Sequence, residues 1–449
     1  MELFGSSGVR GVANEAVGPE LACRVAGAAA ATLDADRVAL ARDTRVSGAM
    51  LADAAASGLA SAGADADRVG VLPTPGLSAY ARREGVPGVM VTASHNPPEY
   101  NGIKLIDTDG GDLPVATIER IEDSLDGFGR AAPDAVGESR RVEGARRAYV
   151  EAVLADTDRG AIADADLTVA LDPGHGAGAH TSPRLFRELG CRVVTVNADP
   201  DGRFPGRDPE PTPDALGDLR ALVRAADADL GIAHDGDADR AVFVDETGEA
   251  VSGDAALAAL AAAELDAGDV AVSAVNASRR LAAAVEDRGA RLELTPIGAT
   301  HITARVRELR EDERVPVAGE GNGGVFFPER SLARDGAYTA ARFLELVTER
   351  PASEVVAPHG GYHAVRETVG YESEAERAAL LEAAAAYADD TDGEVTTTDG
   401  YRLDFEDAWV LVRPSGTEPL VRVTAEARDP DRARDLADGA LDALDAAES

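Results

Sequence analysis

LTVALDPGHGAGAHTSPRLFRELGCRVVTVN, residues 167–197, contains a short β-branched run, a stretch with helical spacing and a second β-branched run. The alternation continues through DALGDLRALVRAAD, residues 214–227, and ADLGIAHDG, residues 228–236. Strands and helices that alternate in this way predict a mainly parallel sheet covered by helices.

Working outward, the same pattern occurs twice more. It is present in RVALARD, DRVGVLPTP and GVMVTASHN within residues 37–96, and again in DVAVSAVN, ARLELTPIG and VPVAGEG after about residue 255. The last stretch differs, because it shows one helix (373–388), then closely spaced strands, then a final helix (431–447). We therefore predict three successive α/β units followed by an α+β unit, divided as 1–150, 151–253, 254–353 and 354–449.

Length and composition agree with several folded units. The chain has 449 residues, about three times the roughly 150 that serve as a prior for one domain. Its 45% hydrophobic content is enough to fill cores, so intrinsic disorder is not expected. The formal net charge of −37 is spread along the chain, which makes nucleic acid and anionic membranes poor partners.

Cysteine and lysine usage suggests where the protein works. Only Cys23 and Cys191 occur, without a CxxC pattern, and the N-terminal residues show no basic and apolar leader, so we expect a cytoplasmic protein. Lys104 is the single lysine, and all other basic residues are arginine. High acidity with few lysines leads us to hypothesise a salt-loving host, since concentrated salt screens self-repulsion.

A serine loop follows the first set of strands. TASHNP, residues 92–97, directly follows the strand GVMV. Loops at the carboxyl ends of parallel strands are where ligands bind in such sheets. Small residues around Ser94 permit a sharp turn whose amides face an anion. Lys104 lies ten residues later, and an ammonium can exchange a proton whereas a guanidinium practically cannot.

An acidic loop follows the strand LGIAH. Three carboxylates occur at alternate positions, on Asp235, Asp237 and Asp239. Because they repel one another, their closeness indicates a bound cation such as Mg²⁺. A calcium EF-hand is the main alternative, since Glu246 would supply its twelfth position. However, Arg240 replaces the glycine that the EF-hand turn needs, and a strand precedes the loop instead of a helix.

Two further loops have residues suited to a sugar phosphate. GEGNGG, residues 319–324, is called the sugar loop below. It offers Glu320 and Asn322 to sugar hydroxyls among glycines, although a plain hairpin has the same pattern. RPSGTEP, residues 413–419, is called the phosphate loop below. It offers an arginine fork, two hydroxyls and a glycine, which together suit a phosphate.

Together with FGSSGVRG, residues 4–11, these loops in this order resemble those of the α-D-phosphohexomutases. The resemblance covers essentially the whole chain and implies four domains around one central cleft, each contributing one loop. It implies a Mg²⁺-dependent isomerase acting on a hexose phosphate, with one Mg²⁺ per chain and a hexose bisphosphate as intermediate and activator. We expect a monomer or homodimer.

The resemblance also implies residue roles. Ser94 is the expected phosphorylated serine, and the metal ligands are Ser94 together with Asp235, Asp237 and Asp239. Lys104 is the candidate general acid or base, Arg10 a candidate to steady the transferring oxygens, and His95 a candidate to order the loop. Expected substrate contacts are Arg240, Glu320, Asn322, Gly298 and His301. Expected phosphate contacts are Arg413, Ser415, Gly416 and Thr417.

The substrate and the reaction leave alternatives open. The Asn-Gly-Gly form of the sugar loop resembles that of archaeal members usually assigned as phosphoglucosamine mutases, which favours glucosamine phosphates over glucose and mannose phosphates. A metal-dependent phosphatase using Ser94 would instead release inorganic phosphate. A noncatalytic calcium or sugar-phosphate sensor would leave the serine unmodified.

Overall fold

The computed structural model describes residues 3–5, 8–415 and 418–447. The first unit is a six-stranded mixed sheet in the order β1-β5-β4-β2-β3-β6. Its strands are β1 Val9–Val12, β2 Arg37–Arg42, β3 Asp65–Val71, β4 Gly88–Val91, β5 Tyr100–Ile106 and β6 Ser139–Arg141. Its helices are α1 Pro19–Thr32, α2 Gly48–Ser61, α3 Thr74–Glu84 and α4 Val115–Ser124. Strand β4 is buried along its length and runs parallel to β2 but antiparallel to β5.

The second unit has a five-stranded sheet in the order β11-β10-β9-β7-β8. Its elements are α5 Ala145–Ala155, α6 Arg159–Asp164, β7 Thr168–Asp172, α7 Ser182–Glu188, β8 Arg192–Thr195, α8 Gly217–Ala226, β9 Leu230–His234, β10 Ala241–Val244 and β11 Ala250–Val251. Strands β7 and β9 are parallel and fully buried, as expected for a sheet covered on both faces. The acidic loop therefore leaves the carboxyl end of an interior strand.

The third unit has a four-stranded sheet in the order β13-β12-β14-β15. Its elements are α9 Gly253–Glu264, β12 Val270–Ala274, α10 Arg279–Asp287, β13 Arg291–Thr295, α11 Ala299–Leu309, β14 Val317–Glu320, β15 Gly324–Phe326, α12 Gly336–Val347 and α13 Ala352–Val356. Its core is continuous with that of the second unit, and the rings of Phe243 and Phe343 stack across the junction with centroids 4.2 Å apart. This shared apolar core fixes the two units against each other.

The fourth unit is an antiparallel sheet in the order β16-β20-β19-β18-β17, with two helices packed on it. Its elements are β16 His363–Gly370, α14 Glu374–Asp390, β17 Glu394–Thr396, β18 Tyr401–Asp404, β19 Ala408–Pro414, β20 Leu420–Ala427 and α15 Pro430–Ala447. The expectation that this unit begins with a helix was wrong, because β16 precedes α14. The sequence of β16 contains no apolar run, and none of its residues is buried, so the sequence pattern did not mark it as a strand.

The predicted fold class, three α/β units and a C-terminal α+β unit, is confirmed. The exact division of the chain stays a prediction: residue 150 lies inside α5, residue 253 is the first of α9 and residue 354 lies inside α13. Among the helices in the described part of the chain, none combines the length and apolar character needed to cross a bilayer.

Candidate active site

The serine loop and the acidic loop meet at hydrogen-bond distance. Ser94 follows β4 and Asp235 follows β9, and the Ser94 Oγ donates to Asp235 Oδ2 at 2.6 Å. Both side chains are buried. A Cβ added at Gly236 would lie 2.6 Å from the Ser94 carbonyl oxygen, so only glycine permits this backbone approach. Two loops 141 positions apart in sequence thus form one site.

Backbone strain marks both loops. Ser94 has φ of 48° and Ala238 has φ of 55°, in the left-handed region that side chains rarely adopt. Such conformations persist where the surrounding structure fixes them, and they concentrate at functional sites. At Ser94 the fixing residue is Arg45, whose Nη2 donates to the Ser94 carbonyl oxygen at 2.8 Å.

The three aspartates form a buried carboxylate cluster. One carboxylate oxygen from each of Asp235, Asp237 and Asp239 lies within 4.8 Å of the others. Asp237 Oδ1 and Asp239 Oδ1 are buried and have no hydrogen-bond partner among the described residues. Burial, followed by the charges of the other two carboxylates, raises the pKa of Asp235 well above its ordinary value. Orphaned hard oxygens in this arrangement suit a divalent cation such as Mg²⁺.

The outer oxygens of the cluster have partners from other units. Thr74 Oγ1 donates to Asp237 Oδ2 at 2.5 Å, and the Arg334 guanidinium pairs with Asp239 Oδ2. Burial would raise the pKa of Asp239, but the charges of Arg334 and Lys104 outweigh it, and the pKa lies well below its ordinary value. Both partners orient carboxylates without occupying the orphaned oxygens.

The predicted catalytic cations lie around this cluster. Lys104 on β5 has its Nζ 3.0 Å from Asp112 Oδ1, with both side chains largely buried. Arg10 on β1 donates from Nη1 to Asn96 Oδ1 at 3.0 Å, and its Nε is buried without a partner. The structure brings both side chains to the serine and acidic loops.

His95 is uncharged. Its Nδ1 lies 2.9 Å from Arg240 Nη2 and 3.4 Å from Ser94 Oγ. Burial, then the charges of Arg240 and Arg10, lowers the pKa of His95 to about 2. A neutral ring that accepts from Arg240 can position this loop. Arg240 itself lies 3.5 Å from Glu210 through Nη1, beside the carboxylate cluster.

The sugar loop is a tight hairpin between β14 and β15. Glu320 ends β14, is buried, and lies 3.8 Å from Arg334 Nη1. Asn322 Oδ1 accepts from the Gly324 amide at 3.0 Å, and Gly323 has φ of 87°. Arg334 therefore connects the sugar loop to Asp239 of the acidic loop.

Gly298 and His301 lie at the start of α11. Gly298 is the residue before the helix, with φ of 129°, and His301 lies in the first turn. In the same turn, Thr300 borders a small cavity with Lys104 and Asp112. The start of α11 therefore faces the predicted general acid or base.

The phosphate loop is anchored to the third unit. Arg413 Nη2 lies 3.2 Å from Asp399 Oδ2, which also accepts from the Ile297 amide at 3.1 Å. The Arg413 Nε is buried and has no hydrogen-bond partner in the part of the chain that the structure describes. The Ser415 amide donates to the Leu420 carbonyl oxygen. Gly416 and Thr417 lie outside the described residues. Within the described chain, no hydrogen bond or ion pair joins Arg413 to Ser94 or to the three aspartates.

Sequence reasoning missed several residues that hold the site. They are Arg45, Thr74, Asp112, Arg334 and Asp399. None belongs to a loop singled out from the sequence. Arg45, Thr74 and Arg334 contact site residues distant in sequence, whereas Asp112 and Asp399 pair with residues much nearer in sequence. The one sequence signal was the single lysine, Lys104, which pairs with Asp112 across the turn after β5.

Comparison with known proteins identifies the family. Four phosphoglucomutase/phosphomannomutase models match in order: α/β/α domain I over residues 1–128, domain II over 147–248, domain III over 252–359 and the C-terminal domain over 371–443.

Similar relatives cover nearly the full chain. A probable phosphoglucosamine mutase of Methanopyrus kandleri is 43% identical, covering 98% of this chain and 97% of its own. A phosphoglucomutase/phosphomannomutase of Thermococcus kodakarensis is 41% identical, with coverage of 97% and 96%. A crystal structure of a phosphoglucomutase/phosphomannomutase family protein from Burkholderia thailandensis has a TM-score of 0.87 at 30% identity, covering 99% and 97%. The chain therefore belongs to the phosphoglucomutase/phosphomannomutase family of α-D-phosphohexomutases, which are isomerases.

Proposed function

We propose that this enzyme moves a phosphoryl group between O6 and O1 of a hexose phosphate, with Ser94 as the residue that carries it. The observation that supports this most directly is the 2.6 Å contact between Ser94 Oγ and Asp235 Oδ2 inside the carboxylate cluster. A hydroxyl held there can store a phosphate beside a divalent cation.

Asp235, Asp237 and Asp239 would hold one Mg²⁺, with an oxygen on Ser94 as a further ligand. The two orphaned oxygens on Asp237 and Asp239 are available for it. When bound, Mg²⁺ supplies positive charge that neutralises charge developing on the transferring phosphoryl oxygens.

The transfer itself can be written with the residues of this chain. The bond from phosphorus to Ser94 Oγ breaks, and a bond from phosphorus to a sugar hydroxyl oxygen forms. Lys104, as the proposed general acid or base, takes the hydroxyl proton, and Arg10 steadies the transferring oxygens. The resulting hexose bisphosphate turns in the cleft and returns its other phosphate to Ser94, with the proton restored to the sugar oxygen. His95, neutral and bonded to Arg240, holds the serine loop in place.

Substrate binding is assigned to the remaining loops. Glu320 and Asn322 would contact sugar hydroxyls, with Gly298, His301 and Arg240 beside them. The phosphate that is not reacting would be held by Arg413, Ser415, Gly416 and Thr417. Burial supports transfer over hydrolysis, because Ser94 is only 1% exposed and water has little access to it.

Glucosamine 6-phosphate and glucosamine 1-phosphate are our proposed substrate pair. The support is the Asn322-Gly323-Gly324 form of the sugar loop and the similarity to the relative named probable phosphoglucosamine mutase. Glucose and mannose phosphates are the alternative, favoured by the relative named phosphoglucomutase/phosphomannomutase.

The test is isomerisation of the 1-phosphates of glucosamine, glucose and mannose, side by side in high KCl with Mg²⁺ and a trace of the matching bisphosphate. We expect isomerisation by the parent enzyme and its loss in Ser94→Ala, with an unchanged circular dichroism spectrum and with a phosphoryl mass on the parent alone. Ser57→Ala, on the exposed face of α2, is the matched control and should retain activity. Full activity in Ser94→Ala would refute the assignment, and inorganic phosphate as main product would favour a phosphatase.

We also propose a cytoplasmic protein from a salt-loving host, acting as a monomer or homodimer. The support is the net charge of −37, the single lysine and the two cysteines, which are both free.

A further inference from the structure

An open cavity between the first unit and the start of α5 is lined by several arginines and lies away from the active site. Its volume is about 830 Å³, and Arg42, Arg68, Arg141 and Arg146 line it. The acidic side chains on its wall are Asp53 and Glu143. Positive charge thus predominates here, although the chain as a whole carries −37. None of the proposed catalytic, metal-binding or substrate-binding residues is on this wall.

The sheet places two of these arginines side by side. Strands β3 and β6 are parallel, and Arg68 on β3 is the register partner of Arg141 on β6. Register partners project from the same face of a sheet, where like charges are destabilising. The neighbouring Arg140 projects from the other face and pairs with the buried Asp67, as an arginine in an acidic chain ordinarily would.

Three of the four arginines have no acidic partner. Arg68 pairs with Asp53, but within the described chain Arg42, Arg141 and Arg146 form no ion pair. Burial and the charge of Arg42 lower the pKa of Arg146. The pKa of His180 is lowered by burial and then by Arg146 and Arg42. The positive charges of Arg42, Arg141 and Arg146 are therefore unpaired within the described chain, although Asp53 and Glu143 share the wall with them.

Backbone contacts hold two of the guanidinium groups in place. Arg42 Nη1 donates to the Asp43 carbonyl oxygen at 2.9 Å, and Arg146 Nε donates to the Val71 carbonyl oxygen at 2.8 Å. Each contact uses one N–H and leaves other donors of the planar fork unused. Guanidinium forks held in this way match the oxygens of a phosphate group.

We propose that this cavity, lined by Arg42, Arg68, Arg141 and Arg146, binds a small molecule that carries a diphosphate group. Several arginines without acidic partners favour a multiply charged anion over a single carboxylate. Cavities of roughly 300–1,000 Å³ hold small organic ligands, so this volume suits a phosphorylated metabolite. The proposal is independent of the proposed function, because the two sites share no residue.

The experiment is isothermal titration of inorganic pyrophosphate into metal-free protein, at the lowest KCl concentration that keeps the parent folded. Arg141→Glu is the test variant, because the Arg141 side chain is exposed and makes no hydrogen bond in the described chain. Arg147→Glu is the matched control, since it makes the same charge change six residues away, on the exposed face of α5 and outside the cavity.

We expect pyrophosphate to bind at least about tenfold more weakly to Arg141→Glu, and within about twofold of the parent to Arg147→Glu. Any binding at the active site is common to all three proteins, so the difference between the variants reports this cavity. Arg141→Gln, which removes the charge without reversing it, should give an intermediate loss. Hexose-phosphate isomerisation should be unchanged in every variant, which also shows that each is folded.

Equal binding by Arg141→Glu and Arg147→Glu would overturn the proposal, as would an absence of pyrophosphate binding to the parent. A second titration uses ADP. Tighter binding of ADP than of pyrophosphate, lost in Arg141→Glu, would identify a nucleotide as the ligand. Equal affinity would identify the diphosphate group as sufficient, and both results support the site.

Discussion

Replacing Arg45 by methionine should destabilise the first unit strongly, because Arg45 is a buried cation whose donors all have partners. It is 1% exposed, and its Nε lies 3.1 Å from Asp43 Oδ2. Its two terminal nitrogens donate at 2.6–2.9 Å to the carbonyl oxygens of Ser94, Asn96, Pro97 and Tyr100. Methionine fills similar volume but supplies no donor.

The magnitude follows from what Arg45→Met leaves behind. Removing one partner of a buried ion pair costs about 3–5 kcal/mol, since the other charge stays buried. The four carbonyl oxygens lose their donor as well, and such losses within one network do not add in full. We therefore expect the free energy of unfolding to fall by about 3–5 kcal/mol at pH 7.

This loss should depend on pH. Burial raises the pKa of Asp43 even with Arg45 beside it, and removing Arg45 raises that pKa further. A carboxyl whose folded pKa exceeds its unfolded value, about 3.9, costs stability as pH rises through that interval. Arg45→Met should therefore lose more stability at pH 7 than at pH 4.

The assay is chemical denaturation followed by circular dichroism at both pH values. Arg147→Met is the control, because Arg147 is exposed and its one ion pair within the described residues is with Glu151. The change in its free energy of unfolding should stay within about 0.5 kcal/mol. A loss below about 1 kcal/mol at pH 7, or an equal loss at pH 4 and pH 7, would refute the reasoning. Isomerisation should also fall in Arg45→Met, because the Ser94 carbonyl oxygen loses its donor.

Three other predictions concern the active site and the surface. Asp112→Asn removes the carboxylate beside Lys104 and should lower kcat about tenfold with little change in KM, which steady-state kinetics would show; an unchanged kcat would exclude a positioning role. Thr74→Val removes the donor to Asp237 and should raise the Mg²⁺ concentration for half-maximal activity about 10–100-fold. Thr74→Ser keeps the donor and should leave that concentration unchanged. EDTA should abolish isomerisation until Mg²⁺ is restored. Molar KCl should raise the thermal unfolding temperature, because the net charge is −37, and equal stability in dilute buffer would contradict a salt-dependent surface.

The fold could be predicted where apolar strand segments and helical segments alternate over a short stretch of sequence. The interior strands β4, β7, β9 and β12 are buried along their whole length, and each consists mainly of apolar residues. Strand β1 could not be predicted in the same way. Its partner is β5, which pairs Val9 with Ile103 across more than ninety residues, and no local pattern encodes such a pairing.

The residues of the site likewise differ in whether the sequence could predict them. Ser94 and the three aspartates each follow a predictable strand, so their places at the carboxyl ends of two separate sheets follow from topology. Their meeting depends on how the first and second units pack together. Arg334 pairs with Asp239 across 95 positions, and it lies in a segment before α12 that has no distinctive pattern. Residues that act only through a tertiary contact leave no signal in a single sequence.

Each carboxylate of the cluster is fixed by a different contact from outside the second unit. Ser94 and Thr74 of the first unit hold Asp235 and Asp237, and Arg334 of the third unit holds Asp239. The geometry of the carboxylate oxygens is therefore set by the packing of three units, not by the acidic loop alone. Arg413 of the fourth unit is paired instead with Asp399, which accepts a hydrogen bond from the Ile297 amide of the third unit. Because these two sets of contacts share no residue, the proposed contact of Arg413 with the idle phosphate can vary without changing the carboxylate cluster, as the proposed binding of the substrate in two orientations requires.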